Sequence, residues 1–330
     1  MLQTKSTMAL TILAISCSLT AASTAPAAPE IFPAETKWTS TPDWGTGYDA
    51  APAFTPDGKT VYFTHANGDK RSIMVSHLRD GVWSAPKLAP FSGQWRDIEP
   101  AMAPDGSYLV FISNRPAVED GKVLDAYFDG VLSPGSGGNI WRVDKVGDDW
   151  SKPVRLPDVI NNNTSIFTPG NTSVFGPAVA RNGNLYFTGP DPKSKKARIY
   201  RSQFTDGTYG TPEPVSFSDG LAADFDAAVA PDESFIIFSS HRPPTPEGHD
   251  GVFVAFSDGH HWKTPVPIQP LLIGGENRLS PDLKTLYFVA DRPYLEMAPA
   301  AQNASANSVA EIPARIWQVS ISSWNAVLAR

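Results

Sequence analysis

Cysteine is nearly absent from these 330 residues: Cys17 stands alone, so no internal disulfide can form and stability must come from packing and hydrogen bonding. Charge is also sparse. Lys and Arg number 27 against 34 Asp and Glu, a net charge of -7 with 18% charged residues, and such an acidic chain offers no electrostatic footprint for a phosphate backbone. Nucleic acid is therefore not an expected partner. Long apolar runs are missing too, since the longest, from about Met8 to Ser16, is too short to span a membrane. Neither a glycine-rich phosphate loop, nor a dinucleotide fingerprint, nor a G-x-S-x-G elbow occurs. What the chain has instead is turn residues, 31 prolines and 25 glycines among 41% hydrophobic residues, a balance that excludes disorder and coiled coils and suits many short strands.

The apolar run follows Lys5 and precedes small residues, which is the pattern of a secretory signal peptide with cleavage after Ala22 or Ala27. Residues 1–28 are read as that peptide and 29–330 as one domain, periplasmic or secreted. The rival reading makes Cys17 a lipidated N-terminus, but Ala14-Ile15-Ser16 matches a lipobox poorly.

An internal repeat carries the fold. Residues 51–63, 99–111, 176–187, 226–238 and 276–288 each join an apolar stretch, a Pro-Asp-Gly type turn and a β-branched or aromatic stretch ending in Phe63, Phe111, Phe187, Phe238 or Phe288. In the third copy Arg181-Asn182-Gly183 replaces the proline turn, and Asn-Gly is itself a hairpin signal. A further strand follows each hairpin, and four of the five are succeeded by an aromatic-x-x-Pro stretch containing Trp83, Trp150, Tyr209 or Trp262. Four strands per unit, with successive turns 48, 77, 50 and 50 residues apart, predict an all-β propeller of five blades, with six if residues 112–173 hide an irregular one. The fifth unit lacks its outer strand. The N-terminal stretch around Trp38 to Pro42 is expected to supply it and close the ring.

With the Pro-Asp-Gly turns, the apolar strands and the tripeptides Ser113-Asn114-Arg115, Ser240-His241-Arg242 and Ala290-Asp291-Arg292, the chain resembles the WD-type repeats of the TolB-like family over nearly its whole length beyond the leader. Such a resemblance implies a propeller fold and leaves function open, because these propellers serve as periplasmic binding modules, as parts of peptidases and as uncharacterised exported proteins. Neither the amino-terminal domain that accompanies TolB propellers nor a hydrolase domain is expected.

The long insertions, 117–138, 159–173, 243–250 and 293–313, fall on the face opposite the Pro-Asp-Gly turns, which is expected to be the working face. Inner strands begin there. Five residues before the turn residue stand Ala51, Glu99, Gly176, Asp226 and Glu276; two residues earlier stand Asp49, Asp97, Val174, Asp224 and Gly274. Two rows of acids would thus ring the channel mouth, fit for general acid and base work or for a cation such as Ca2+ at Glu99, Asp226 and Glu276. The plainer reading pairs these acids with Arg115, Arg242 and Arg292 between blades. Asp120, Asp125, Tyr127, Phe128, Asp129 and Phe167 on the insertions suit sugars or peptides, or merely cap the channel. His249-Asp250 and His260-His261 are expected on opposite faces, and Trp262 in blade packing rather than an Asp-box. The expectation is a monomeric exported propeller, without a required cofactor, that binds a protein, peptide or glycan on the long-loop face; the alternative is a carbohydrate-active hydrolase or lyase using those acids.

Overall fold

The computed structural model describes residues 28–34, 47–128, 131–162, 167, 173–259, 261–291 and 314–321. Each repeat becomes one antiparallel sheet, and the five sheets form a five-bladed β-propeller. Their inner strands are Tyr48–Phe54, Asp97–Met102, Phe175–Val179, Asp224–Val229 and Gly275–Leu279. Among the described residues the insertion after Arg115 holds one two-stranded hairpin, Ala126–Phe128 with Val131–Ser133, and the sheets make five blades, not six.

An N-terminal strand does complete blade five, but at Glu30–Ile31, which pairs with Arg315–Ser320 through Glu30 to Gln318 and Ile31 to Trp317. The predicted stretch from Trp38 to Pro42 lies outside the described residues, as do the leader and Cys17. Five apolar clusters fill the five gaps between blades. The one across the closure joins Phe32 and Ala34 to Phe54, Phe63, Tyr287 and Ile316, so the seam is packed like the other joints. The five repeat phenylalanines are fully buried. Each contributes roughly 1.5–3 kcal/mol by leaving water. The recurring indoles are packing groups, with Trp150 Nε1 donating to Tyr62 Oη at 3.0 Å and Trp262 standing edge-on to Tyr186 at 6.3 Å.

A β-bulge interrupts every inner strand at the same place. Ladder pairing shifts between Ala50 and Ala53, Ile98 and Ala101, Phe175 and Ala178, Phe225 and Ala228, and Gly275 and Arg278, so two residues face each repeat phenylalanine. The first of each two adopts left-handed backbone: Ala51 at φ 49°, Glu99 at 55°, Gly176 at 55°, Asp226 at 53° and Glu276 at 51°. Only Gly176 suits that conformation, and a Cβ there would stand 3.1 Å from Asp226 Oδ1 and 3.2 Å from Thr188 Oγ1. Gly176→Ala is therefore expected to lower unfolding free energy by about 1–2 kcal/mol in a urea titration. No loss would mean the bulge is not held as described.

Candidate functional site

The bulges separate the two rows of acids that the sequence places together. The outer row is consumed by pairing within blades, not between them. Asp97 is closed to solvent and takes Arg115 Nη1 at 2.7 Å, Arg115 Nη2 at 3.2 Å and the Ser92 hydroxyl at 2.8 Å. Arg115 also donates to Phe91 O and lies 5.0 Å over the Phe111 ring. Burial raises the Asp97 pKa against the opposing pull of Arg115. Asp224 is held by Arg242 Nη2 at 2.7 Å and by the Ser240 hydroxyl at 2.7 Å. In blade one, Asp49 meets His65 Nδ1 at 2.7 Å. These three acids hold the ends of blade strands together, and Arg292 lies outside the described residues.

The inner row turns into the channel. Glu99 Oε2 accepts the Gly176 N–H at 2.6 Å, and Asp226 Oδ2 accepts the Glu276 N–H at 2.8 Å, so each carboxylate caps the bulge of the next blade. The bulge N–H groups of Glu99 and Asp226 donate to Thr64 Oγ1 at 2.8 Å and Thr188 Oγ1 at 3.2 Å. Among them lies Arg278, a residue the sequence reading missed. It is 6% exposed and reaches across the channel from blade five, donating to Pro100 O at 3.2 Å and Asn277 O at 2.8 Å. Nothing in its repeat flags it, because Ala53, Ala101, Ala178 and Ala228 occupy the equivalent ladder position.

Burial, then the charge of Asp226, pushes Glu99 up to about 7; burial, then Glu99 and Asp226, pushes Glu276 up to about 8. Asp226 is raised by burial against the Glu276 N–H and Arg278. Three buried polar atoms here, Glu276 Oε2, Asn277 Oδ1 and Arg278 Nη2, have no hydrogen-bond partner among the described residues. No three acidic, histidine or cysteine side chains among those residues form a group able to hold a metal ion, and a guanidinium provides the positive charge inside the ring.

Two cavities open above the carboxylates on the long-loop face. One of about 300 Å³ is lined by Glu99 and Asp226 with Tyr127, Phe175, Phe225 and His241. The other, about 120 Å³, is lined by Glu99, Glu276, Tyr48, Phe175, Arg71 and Arg96. Glu99 and Phe175 belong to both. Tyr127 comes from the insertion hairpin, as the loop chemistry suggested, whereas Phe167 is fully buried against Tyr200 at 5.4 Å and contributes packing. Asp125 accepts the Gly135 N–H at 2.7 Å within its own loop. Asp120 lines neither cavity, and Asp129 lies outside the described residues. His249 is not in the cavity; His241 is, with its Nε2 at 2.8 Å from Asp250 Oδ1 and its ring edge-on to Phe225. His260 also falls outside the described residues.

No family model and no curated protein sequence matches the chain. Similar solved structures include TolB from Acinetobacter baumannii, with 16% identity and a TM-score of 0.40 over 69% of this chain and 45% of that one. They include also the putative TolB from Agrobacterium tumefaciens, with 18% identity and a TM-score of 0.41 over 78% of this chain and 95% of that one. A thermostable family-43 glycoside hydrolase shows 15% identity and a TM-score of 0.46 over 76% of this chain and 85% of that one. This chain spans less than half the length of the first. Likeness at these levels concerns the course of the backbone and carries no functional assignment.

Proposed function

We propose that the protein is an exported propeller that binds a neutral, hydroxyl-rich ligand, a glycan segment, at the channel mouth on the long-loop face. The observation that carries this reading is the inner row itself: three carboxyl residues held in left-handed backbone around one channel. Such backbone costs roughly 1–2 kcal/mol per residue and is retained where the surroundings, or a function, require it. Burial and the neighbouring acids raise Glu99 to about 7 and Glu276 to about 8, which favours their protonated forms near neutral pH, while Arg278 supplies positive charge beside Asp226. The cluster then carries little net charge and offers both donors and acceptors, which suits hydroxyl groups better than ions. Tyr127, Phe175 and Phe225 supply faces on which a sugar ring can stack. Export rests on the leader pattern, and no helix among the described residues is long and apolar enough to cross a membrane.

A glycan panel titrated into the full chain tests this, with a peptide panel as the rival arm. Glu99→Gln and Phe175→Ala are each expected to weaken the best glycan about tenfold, the scale of losing one charge-assisted hydrogen bond or one stacking face. Calcium is expected to change nothing. Binding of peptides alone, or glycan binding untouched by both substitutions, would overturn the reading.

A second reading is favoured by one feature. A carboxyl group near pKa 7 beside other acids is suited to proton transfer, so a carbohydrate-active hydrolase or lyase remains the alternative, with Glu99 as acid. Release of product from the same panel, abolished in Glu99→Gln, separates turnover from binding.

A further inference from the structure

We propose that the opposite, short-turn end of the channel is a separate binding site for a small organic carboxylate, held by Arg278 and Arg181. A funnel of about 180 Å³ opens there between the Pro-Asp-Gly turns. Its deepest lining residue in each blade is Pro52, Ala101, Pro177, Ala228 or Arg278, so one guanidinium closes an otherwise apolar floor. Arg278 is nine-tenths buried and its Nη2 lacks a hydrogen-bond partner among the described residues, an arrangement that is costly unless something accepts those protons. At the rim, Arg181 stands where the four other copies have a turn proline, fixed by its N–H to Pro231 O at 2.8 Å. The lining contains two cations and no carboxylate.

Among the acids near the rim, Asp232 feels the charge of Arg181, and Glu233 beside it is taken up by Arg201 and Asn182; neither lines the funnel, and none of the turn acids is set against Arg278. Asp57, Asp105, Asp232 and Asp282 each accept hydrogen bonds from the Thr or Ser hydroxyl of their own turn, at 2.6 to 2.7 Å, and none lines the funnel. Hydrogen bonding holds all four below the usual carboxylate range, so their charge is constant near neutrality. A body of up to about nine heavy atoms with one carboxylate, the size of benzoate, fits such a volume at roughly 20 Å³ per atom. It would place its charge against the inner guanidinium and its apolar part among the prolines.

Arg278 is shared. From the other side it faces Glu99, Glu276 and Asp226. As pH rises and Glu99 and Glu276 lose their protons, they compete with a funnel anion for the same cation. Affinity should therefore fall between pH 6 and pH 8.5, and by linkage the anion's binding near pH 7.5 should draw protons onto those two groups. A ligand at one end of the channel would thereby alter the protonation of the mouth at the other.

Titration calorimetry of benzoate, with benzamide as the uncharged control, tests this on the full chain. Benzoate is expected to bind at least about tenfold more tightly than benzamide, the scale of a charge-assisted bidentate contact. Repeating the titration in buffers of different ionisation heat should show proton uptake. Arg181→Ala, exposed and outside the core, should weaken benzoate a few-fold while leaving the uptake in place. Arg278→Gln should abolish the preference for benzoate; Arg181→Ala and benzamide keep the test decisive if that variant does not fold. Equal binding of benzoate and benzamide, no saturation by either, or benzoate binding without proton uptake would overturn the proposal. Because the readouts involve no glycan, failure of benzoate to saturate or to outbind benzamide leaves the mouth reading standing, and absence of glycan binding leaves this one standing; only a lack of proton uptake bears on both, through Glu99 and Glu276.

Discussion

Arg278→Gln is expected to cost about 3–5 kcal/mol of unfolding free energy at pH 8.5 and distinctly less at pH 5, measured by urea titration at both. The guanidinium is the cation placed among Glu99, Asp226 and Glu276. Removing it leaves their charge buried and uncompensated, and the difference between the two pH values follows from the direction of the shifts. Glu99 and Glu276 rise from an unfolded value of 4.5 to about 7 and about 8. A group whose folded pKa is raised binds its proton more tightly in the native state. The stability it provides is complete below pH 4.5 and is lost as pH climbs through 7 to 8. For Glu99 that loss is on the order of 3 kcal/mol even with Arg278 present. At pH 5 both groups are neutral and the missing cation matters less. An equal penalty at both pH values would show that Arg278 acts through packing and not as their counter-charge.

Arg115→Met should be as damaging, by about 3–5 kcal/mol, because it strands Asp97 where no water reaches it. The same substitution at Arg242 is expected to cost less. Asp224 is equally buried, but the Arg242 side chain is 19% exposed against 9% for Arg115, so water can replace part of its contact. Replacing both members of the first pair, Asp97→Leu with Arg115→Met, should recover part of the loss, since two apolar groups leave no orphaned charge. A double substitution worse than either single one would show that the pair is needed for more than mutual neutralisation.

These two arginines mark the limits of what the sequence reveals. Blade number and strand order follow from the repeat, because Pro-Asp-Gly chemistry, alternating apolar residues and the recurring phenylalanines are local signals. Arg115 and Arg242 also belong to a repeated tripeptide, so their pairing with inner-strand acids was legible, although the partner proved to lie in the same blade. The division of the acids into a structural row and a channel row was not. Two positions two apart in a regular strand point the same way, and only the bulge rotates Glu99 away from Asp97. One clue was present: Gly176 at the equivalent position of blade three hints at left-handed backbone in every copy. Arg278 had no such clue, since it departs from the repeat instead of belonging to it. Its importance comes from reaching Pro100 across the ring, a contact between residues far apart in the chain.

The ring closes through very little backbone. Glu30 and Ile31 pair with Gln318 and Trp317, and the Gln318 side chain donates to Glu30 Oε1 at 2.7 Å. These partners sit at opposite ends of the described chain, so the seam cannot form until the last strand has been synthesised, and its loop closure is the longest in the molecule. Blade-to-blade joints elsewhere link neighbours in sequence and can assemble as the chain emerges. The first described strand made is thus the last to find its place, and until it does, blade five carries a bare edge on which a second copy of the chain could pair.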